Sequence, residues 1–154
     1  MAGTQKVNES YISDAVVNVP PIVDVYDETT GSSNKDFVVP DNEMWKINYV
    51  YIELSTSATV GDRNLDVLVT NPALKTIFSS DAGVVVPAGA TTQAFLYMPG
   101  APRETTIVEG QAHVGIPNDL YVMGGNTFTV FDNAEIDPAG DDMIVGFQYQ
   151  KFTI

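Results

Sequence analysis

Short runs of alternating apolar and polar residues are the main pattern along this chain. The clearest run covers residues 143–150, and its apolar positions are Met143, Val145, Phe147 and Tyr149. Because successive side chains of a strand point to opposite faces, this alternation predicts a strand with one buried face. A run at residues 63–70 predicts another, with Leu65, Val67 and Val69 facing inward and Asn64, Asp66 and Thr70 facing outward.

The segment 45–54 has an irregular pattern, because its apolar residues start at odd positions and finish at even ones. This change predicts a β-bulge near residues 49–51 or burial of both faces. Further strands are predicted at 22–26, 36–39, 76–79, 93–98, 120–122 and 127–131, and no window has helical spacing. Roughly eight strands predict an all-β, antiparallel two-sheet jelly-roll sandwich.

The first 19 residues differ from the rest of the chain. They are mostly polar and end at the pair Pro20-Pro21, which favours an extended backbone. We therefore expect an N-terminal arm at 1–19 and a single β-sandwich domain at 20–154. The candidate interface residues of this arm are Tyr11, Ile12, Val16, Val17 and Val19. A loose terminus or a plain edge strand is the alternative.

Composition narrows the classes of function. Lys and Arg number 7 against 20 Asp and Glu, a formal charge of −13 that repels phosphate backbones, so we expect no nucleic-acid partner. No apolar stretch approaches the length of a membrane span, and we expect no membrane partner. The N-terminus lacks the basic-then-apolar order of a secretory signal, so synthesis and folding in the cytoplasm are expected.

Candidate catalytic and metal chemistry is sparse. The chain has no cysteine, and a serine triad would need His113, which has no nucleophile-elbow motif beside it. We expect neither an enzyme nor a cofactor. The acidic stretch 132–142 supplies weak calcium candidates, which are Asp132, Asp137, Asp141 and Asp142. Its spacing is not that of an EF-hand, so turn and capping roles are favoured over calcium binding or a glycosidase-like carboxylate pair.

Several stretches together resemble virion structural proteins of tailed bacteriophages. These are residues 37–40, 45–47, 58–65, 125–137 and 141–145. The resemblance implies a jelly-roll capsid decoration or cement protein on the outer surface of the phage head. Such a protein is expected to be a homotrimer that binds the major capsid protein and stabilises contacts between its subunits.

Three residues in these stretches have expected structural roles. Trp45 opens the long aromatic strand, and Gly61 can adopt positive φ in the turn before the next strand. Arg63 follows that turn and is placed to pair with acids of a neighbouring loop. The alternative for Arg63 is a solvated charge at a strand end.

Two other functions compete with decoration. The same domain could serve in the tail, neck or fibre of the virion. A free carbohydrate-binding module is the other alternative, in which exposed aromatic residues stack on sugar rings. The tyrosines suggested for that role are Tyr97, Tyr121 and Tyr149.

Overall fold

The computed structural model of the chain describes residues 20–97, 111–115, 119–134 and 136–154, and it gives 81–83, 95–97 and 111–115 as backbone only. These residues form ten strands: β1 (Ile22–Asp27), β2 (Asn34–Val38), β3 (Glu43–Ser55), β4 (Arg63–Thr70), β5 (Thr76–Val86), β6 (Thr91–Tyr97), β7 (Gln111–Gly115), β8 (Leu120–Met123), β9 (Thr127–Asp132) and β10 (Asp142–Thr153). Within these ranges no helix is long and apolar enough to cross a membrane. The predicted arm, with Tyr11, Ile12, Val16, Val17 and Val19, lies outside the described residues.

The strands form two sheets. The larger has the order β1-β10-β3-β6-β7, with β8 pairing to the first half of β3, and the smaller has the order β2-β9-β4-β5. Aromatic contacts join the sheets, because the ring of Phe147 in β10 lies 4.8 Å from that of Phe37 in β2 and 5.4 Å from that of Phe128 in β9. The prediction of an all-β chain with two facing sheets is confirmed.

The hydrophobic core lies between the sheets and is built from the predicted inward rows. Met143, Val145, Phe147 and Tyr149 are all buried, as are Leu65, Val67 and Val69. Burying one such aliphatic or aromatic side chain stabilises the fold by roughly 1.5–3 kcal/mol. Trp45 belongs to this core, since its ring stacks on that of Tyr149 at 4.2 Å and its Nε1 donates to Glu43.

The change of pattern in β3 is a β-bulge. Tyr49 pairs with Gln148 and Ile47 pairs with Tyr149, so Asn48 is the extra residue between them. The buried positions of β3 change there from Trp45 and Ile47 to Val50, Ile52 and Leu54. The predicted bulge is therefore found, one residue before the position that the pattern suggested.

Four details differ from expectation. Ten strands occur among the described residues instead of roughly eight, and β5 is 11 residues long where only 76–79 was predicted. β6 and β7 pair in parallel, whereas every pair was expected to be antiparallel. Asp66 was predicted to face outward into solvent, yet it is only 6% exposed. Alternation along a strand shows which residues share a face, but it carries no information on pairing direction or on what covers that face.

Candidate functional site

Four loops meet at one end of the sandwich. The register places Asp27 beside Val145 and Asp142 beside Ser55, and it places Asp132 beside Leu65. The loops at 28–33, 56–62, 87–90 and 133–141 therefore lie together, and we call these loops and the strand ends that border them the acidic loop end. It contains all four of the carboxylates that the sequence suggested for calcium.

Arg63 lies at the centre of the acidic loop end and is completely buried. Its Nε donates to Asp141 Oδ2 at 2.8 Å, and its Nη2 donates to Asp141 Oδ1 at 3.1 Å. The remaining donors reach the carbonyls of Thr59 and Gly61 and the hydroxyl of Ser57. All five guanidinium N–H groups are thus bonded, and the hypothesis that Arg63 pairs with the acidic loop holds in the structure. Asp141 beside it raises the pKa of Arg63, which keeps the charge on the guanidinium.

Asp137 extends this network to the β3–β4 loop. Its Oδ2 accepts hydrogen bonds from the hydroxyls of Ser57 at 2.7 Å and Thr59 at 2.9 Å. These bonds hold the pKa of Asp137 below its usual range, because they stabilise the ionised carboxylate. Ser57 and Thr59 were not singled out from the sequence. The only hint was that four of the five residues at 55–59 have short hydroxyl side chains, which favour local bonding to neighbouring groups in loops.

The other two carboxylates accept hydrogen bonds from backbone N–H groups of this end. Asp132 Oδ1 accepts from the backbone N–H groups of Asn64 and Ala134, and Asp142 Oδ1 accepts from that of Gly31. Over the described ranges, no group of three or more His, Asp or Glu residues is arranged to hold a metal ion. All four carboxylates named as calcium candidates accept hydrogen bonds from protein groups, namely Asp132, Asp137, Asp141 and Asp142. This arrangement is the one expected for the favoured turn and capping role.

Gly61 shapes the turn that presents this loop. Its φ is +141°, and a Cβ at this position would lie 2.2 Å from Cδ1 of Ile136 in the opposite loop. The backbone conformation therefore favours glycine, and the end of the Ile136 side chain would have to move to admit a methyl group. The neighbouring Val60 is 91% exposed, so the network fixes a loop whose tip presents an apolar side chain to solvent.

The charges of the acidic loop end are unevenly exposed. Its two cations, Lys35 and Arg63, are both buried and paired with carboxylates, whereas Glu28, Asp62 and Asp142 are exposed. The surface of this end is consequently negative. Such a surface favours solubility and disfavours contact with polyanions.

The outer face of the four-stranded sheet has the opposite character. The register brings outward residues of its four strands side by side, and we call them the threonine face: Asp36, Val38, Thr127, Thr129, Leu68, Thr70, Thr76 and Ser79. Asp36 is the one charged residue among them, at the sheet edge, and it accepts a hydrogen bond from Thr129. The next row of the same sheet, toward the acidic loop end, holds Asp66 and Asp81, so the low charge is confined to the two rows that form the threonine face. A patch with one charge in eight residues is unusual on a chain with a formal charge of −13.

The remaining candidate residues lie elsewhere. His113 is in β7 and Tyr97 is the last residue of β6, and only the backbone of these two residues is described. Tyr121 is 43% exposed beside Lys46. Tyr149 is buried against Trp45, which confirms its predicted place in the inward row of β10 and excludes it from the sugar-binding alternative.

Comparisons with known proteins add no relative. Neither the protein-family models nor the curated protein sequences contain a match to this chain.

Proposed function

We propose that this chain is a jelly-roll decoration or cement protein of a tailed-phage head. It acts from the outer head surface by binding the major capsid protein and stabilising contacts between capsid subunits. The observation that carries the proposal is the threonine face, since interface centres are depleted in charged residues and this face carries almost none. The resemblance to phage virion proteins is the reason for proposing the major capsid protein as the partner.

The strand order supports the jelly-roll assignment. If β7 and β8 are taken as an insertion, the other eight strands number 1-8-3-6 in one sheet and 2-7-4-5 in the other. Two interleaved Greek keys generate this order, and viral capsid proteins are among the proteins built on it. Because one fold serves many functions, the argument for decoration depends on the surface and not on the topology alone.

The size of the threonine face indicates how such a contact would work. Four strands about 4.8 Å apart and two rows about 7 Å apart give this face an area on the order of 270 Å². A stable interface buries about 800 Å² per partner, so this face supplies about a third of one. Several copies acting together, as in the proposed homotrimer, would supply the remainder through avidity. We propose that the predicted arm adds further contacts to the capsid through Tyr11, Ile12, Val16, Val17 and Val19.

Exposed apolar residues extend the threonine face at its edges. Val38 on β2 is 64% exposed, and Ile77 on β5 is 58% exposed because a register shift makes it the extra residue of its strand. β5 lies at the end of its sheet and has a single charged residue, Asp81. Edges of this kind are normally protected by charge, so an edge with a single charge in 11 residues favours contact with another chain.

The proposal is tested by mixing the purified protein with undecorated heads of its phage and imaging the particles by electron cryomicroscopy. Saturable extra density at symmetry-related positions on the head is expected. The double variant Val38→Lys/Ile77→Lys should weaken binding by at least tenfold, because it places cations at the edges of the contact.

The matched control is Ile22→Lys/Met123→Lys. It changes the net charge equally and replaces exposed apolar residues of the other sheet. Binding by this control should equal that of the wild type. Density on the tail, neck or fibre would move the domain to the alternative position in the virion, and absence of density on any part of the particle would refute a virion role.

A further inference from the structure

The outer face of the six-stranded sheet carries an aromatic row. Tyr26 in β1, Gly146 in β10 and Tyr51 in β3 lie side by side in the register. A methyl group at position 146 would lie 3.2 Å from Cδ2 of Tyr26 and 3.7 Å from Cδ1 of Tyr51. The two rings therefore flank a position without a side chain, and Tyr26 remains 62% exposed.

Polar pairs border this row on both sides. On one side, Gln148 Nε2 donates to Asp24 Oδ1 at 2.9 Å. On the other, Glu53 Oε2 accepts from the hydroxyl of Tyr51 at 2.7 Å and from Gln93 Nε2 at 2.8 Å. Each side thus holds one carboxylate and one amide, whose orientations are set by their mutual hydrogen bonds. Residues two apart on a strand are about 7 Å apart and strands are about 4.8 Å apart, so the centres of the two polar pairs, which are two rows and two strands apart, lie on the order of 17 Å from each other.

We propose that this face binds a neutral saccharide, with one sugar ring on the exposed surface of Tyr26 and hydroxyls of the flanking sugar units on the two carboxylate–amide pairs. Aromatic rings accept the apolar face of a sugar, and Tyr26 and Tyr51 supply that surface. A sugar hydroxyl both donates and accepts, and a carboxylate beside an amide offers it an acceptor and a donor.

Charge selects the class of saccharide. The three rows from Asp24 to Glu53 contain these two carboxylates and no cation among the described side chains. The next row of the same face holds Lys46, whose charge is paired with Asp119. Hydrogen bonds from Tyr51 and Gln93 lower the pKa of Glu53, so this carboxylate stays ionised at neutral pH. Sialylated or sulfated glycans would be repelled by these carboxylates and by the overall charge. This site goes beyond the proposed capsid function and is independent of it, because it lies on the sheet opposite the threonine face.

The test uses the purified full-length chain on a glycan array containing neutral and acidic oligosaccharides. Calorimetric titrations with maltohexaose, cellohexaose and chitohexaose then follow, with heparin and polysialic acid as anionic comparators. Binding to at least one neutral glycan and to neither polyanion is expected. Tyr26→Ala should weaken that binding by about tenfold, because it removes the stacking surface.

A second variant and a control separate binding from folding. Glu53→Gln keeps the shape of the side chain and should also weaken binding, because it removes the charged acceptor. Tyr121→Ala removes an exposed tyrosine from another part of the sheet and should leave binding unchanged. The titrations are made well below the melting temperature of each variant. Failure of every neutral glycan to bind, preference for a polyanion, or binding that Tyr26→Ala does not affect would overturn the proposal and leave the capsid function untouched.

Discussion

Arg63 and Asp141 are 78 residues apart in the chain, yet they form a bidentate ion pair in which both side chains are fully buried. The pair joins the first residue of β4 to the end of the β9–β10 loop. It thus connects the loop before β4 to the loop before β10 at the acidic loop end. Removing one partner of a buried pair leaves the other charge buried without compensation, which destabilises the folded state.

Asp141→Asn should lower the free energy of unfolding by about 3–5 kcal/mol, because Arg63 would remain charged and buried. Asp119→Asn is the matched control, since it makes the same chemical change in the exposed pair with Lys46. That change should cost about 1 kcal/mol or less. Chemical denaturation followed by circular dichroism measures both values. Equal losses for the two variants would mean that the buried pair contributes no more than the exposed one.

Gly61→Ala should destabilise the protein by about 2 kcal/mol, mainly through an unfavourable φ, with a smaller contribution from displacing the flexible end of Ile136. Gly31→Ala provides the comparison. Gly31 also has positive φ, but it has open space around its Cα, so its replacement should cost only about 1 kcal/mol. The double variant Gly61→Ala/Ile136→Ala removes the clashing side chain and tests the contact between the loops. If the two substitutions change the free energy of unfolding additively, as independent sites do, then the contact with Ile136 does not contribute to the loss of stability.

Stability should fall as the pH rises above about 10. Burial and the hydrogen bond to Glu53 raise the pKa of Tyr51, and burial raises the pKa of Tyr149. A raised pKa in the folded state contributes stability below the unfolded value, near 10, and this contribution is lost as the pH rises through the folded pKa. Thermal melts across pH 8–12, with tyrosinate absorbance, measure the effect.

Tyr149→Phe removes one of these titrating groups and should make the alkaline fall in melting temperature shallower. Lys46 and Lys151 also have raised pKa values, from hydrogen bonds to Asp119 and Glu43, and act in the same direction. The absorbance separates the two contributions, because only tyrosine ionisation changes it. A melting temperature that stays constant to pH 12 would contradict the prediction.

Leu74→Gly should stabilise the protein by up to about 1 kcal/mol. Leu74 adopts a φ of 57° in the β4–β5 turn, is 85% exposed, and makes no buried contact that its loss would remove. The left-handed conformation costs a non-glycine residue about 1–2 kcal/mol, which exceeds the entropic cost of glycine. Ala73→Gly, one residue earlier at an ordinary φ, should instead destabilise. A lower melting temperature for Leu74→Gly would show that the leucine side chain itself stabilises the turn.

The sequence by itself determined where most of the strands lie and which side chains of the clearest strands face inward. The rows at residues 143–149 and 65–69 are buried as predicted, because alternation with period two is a local property of an extended backbone. The bulge in β3 was visible for the same reason, as a shift in that period near Asn48. Arg63 could be proposed as a partner of the acidic loop, since a charge beside a turn needs an opposite charge if it is buried.

Only the tertiary structure decided which strands are neighbours and what covers each face. The parallel pairing of β6 with β7, the choice of Asp141 among the acidic residues and the burial of Asp66 all depend on residues distant in the chain. The same holds for the tyrosines: Tyr149 is buried by Trp45, whereas Tyr26 is exposed over Gly146 from a strand more than a hundred residues away. Local periodicity fixes the direction of a side chain, but the identity of its neighbours follows from pairing that the whole chain determines.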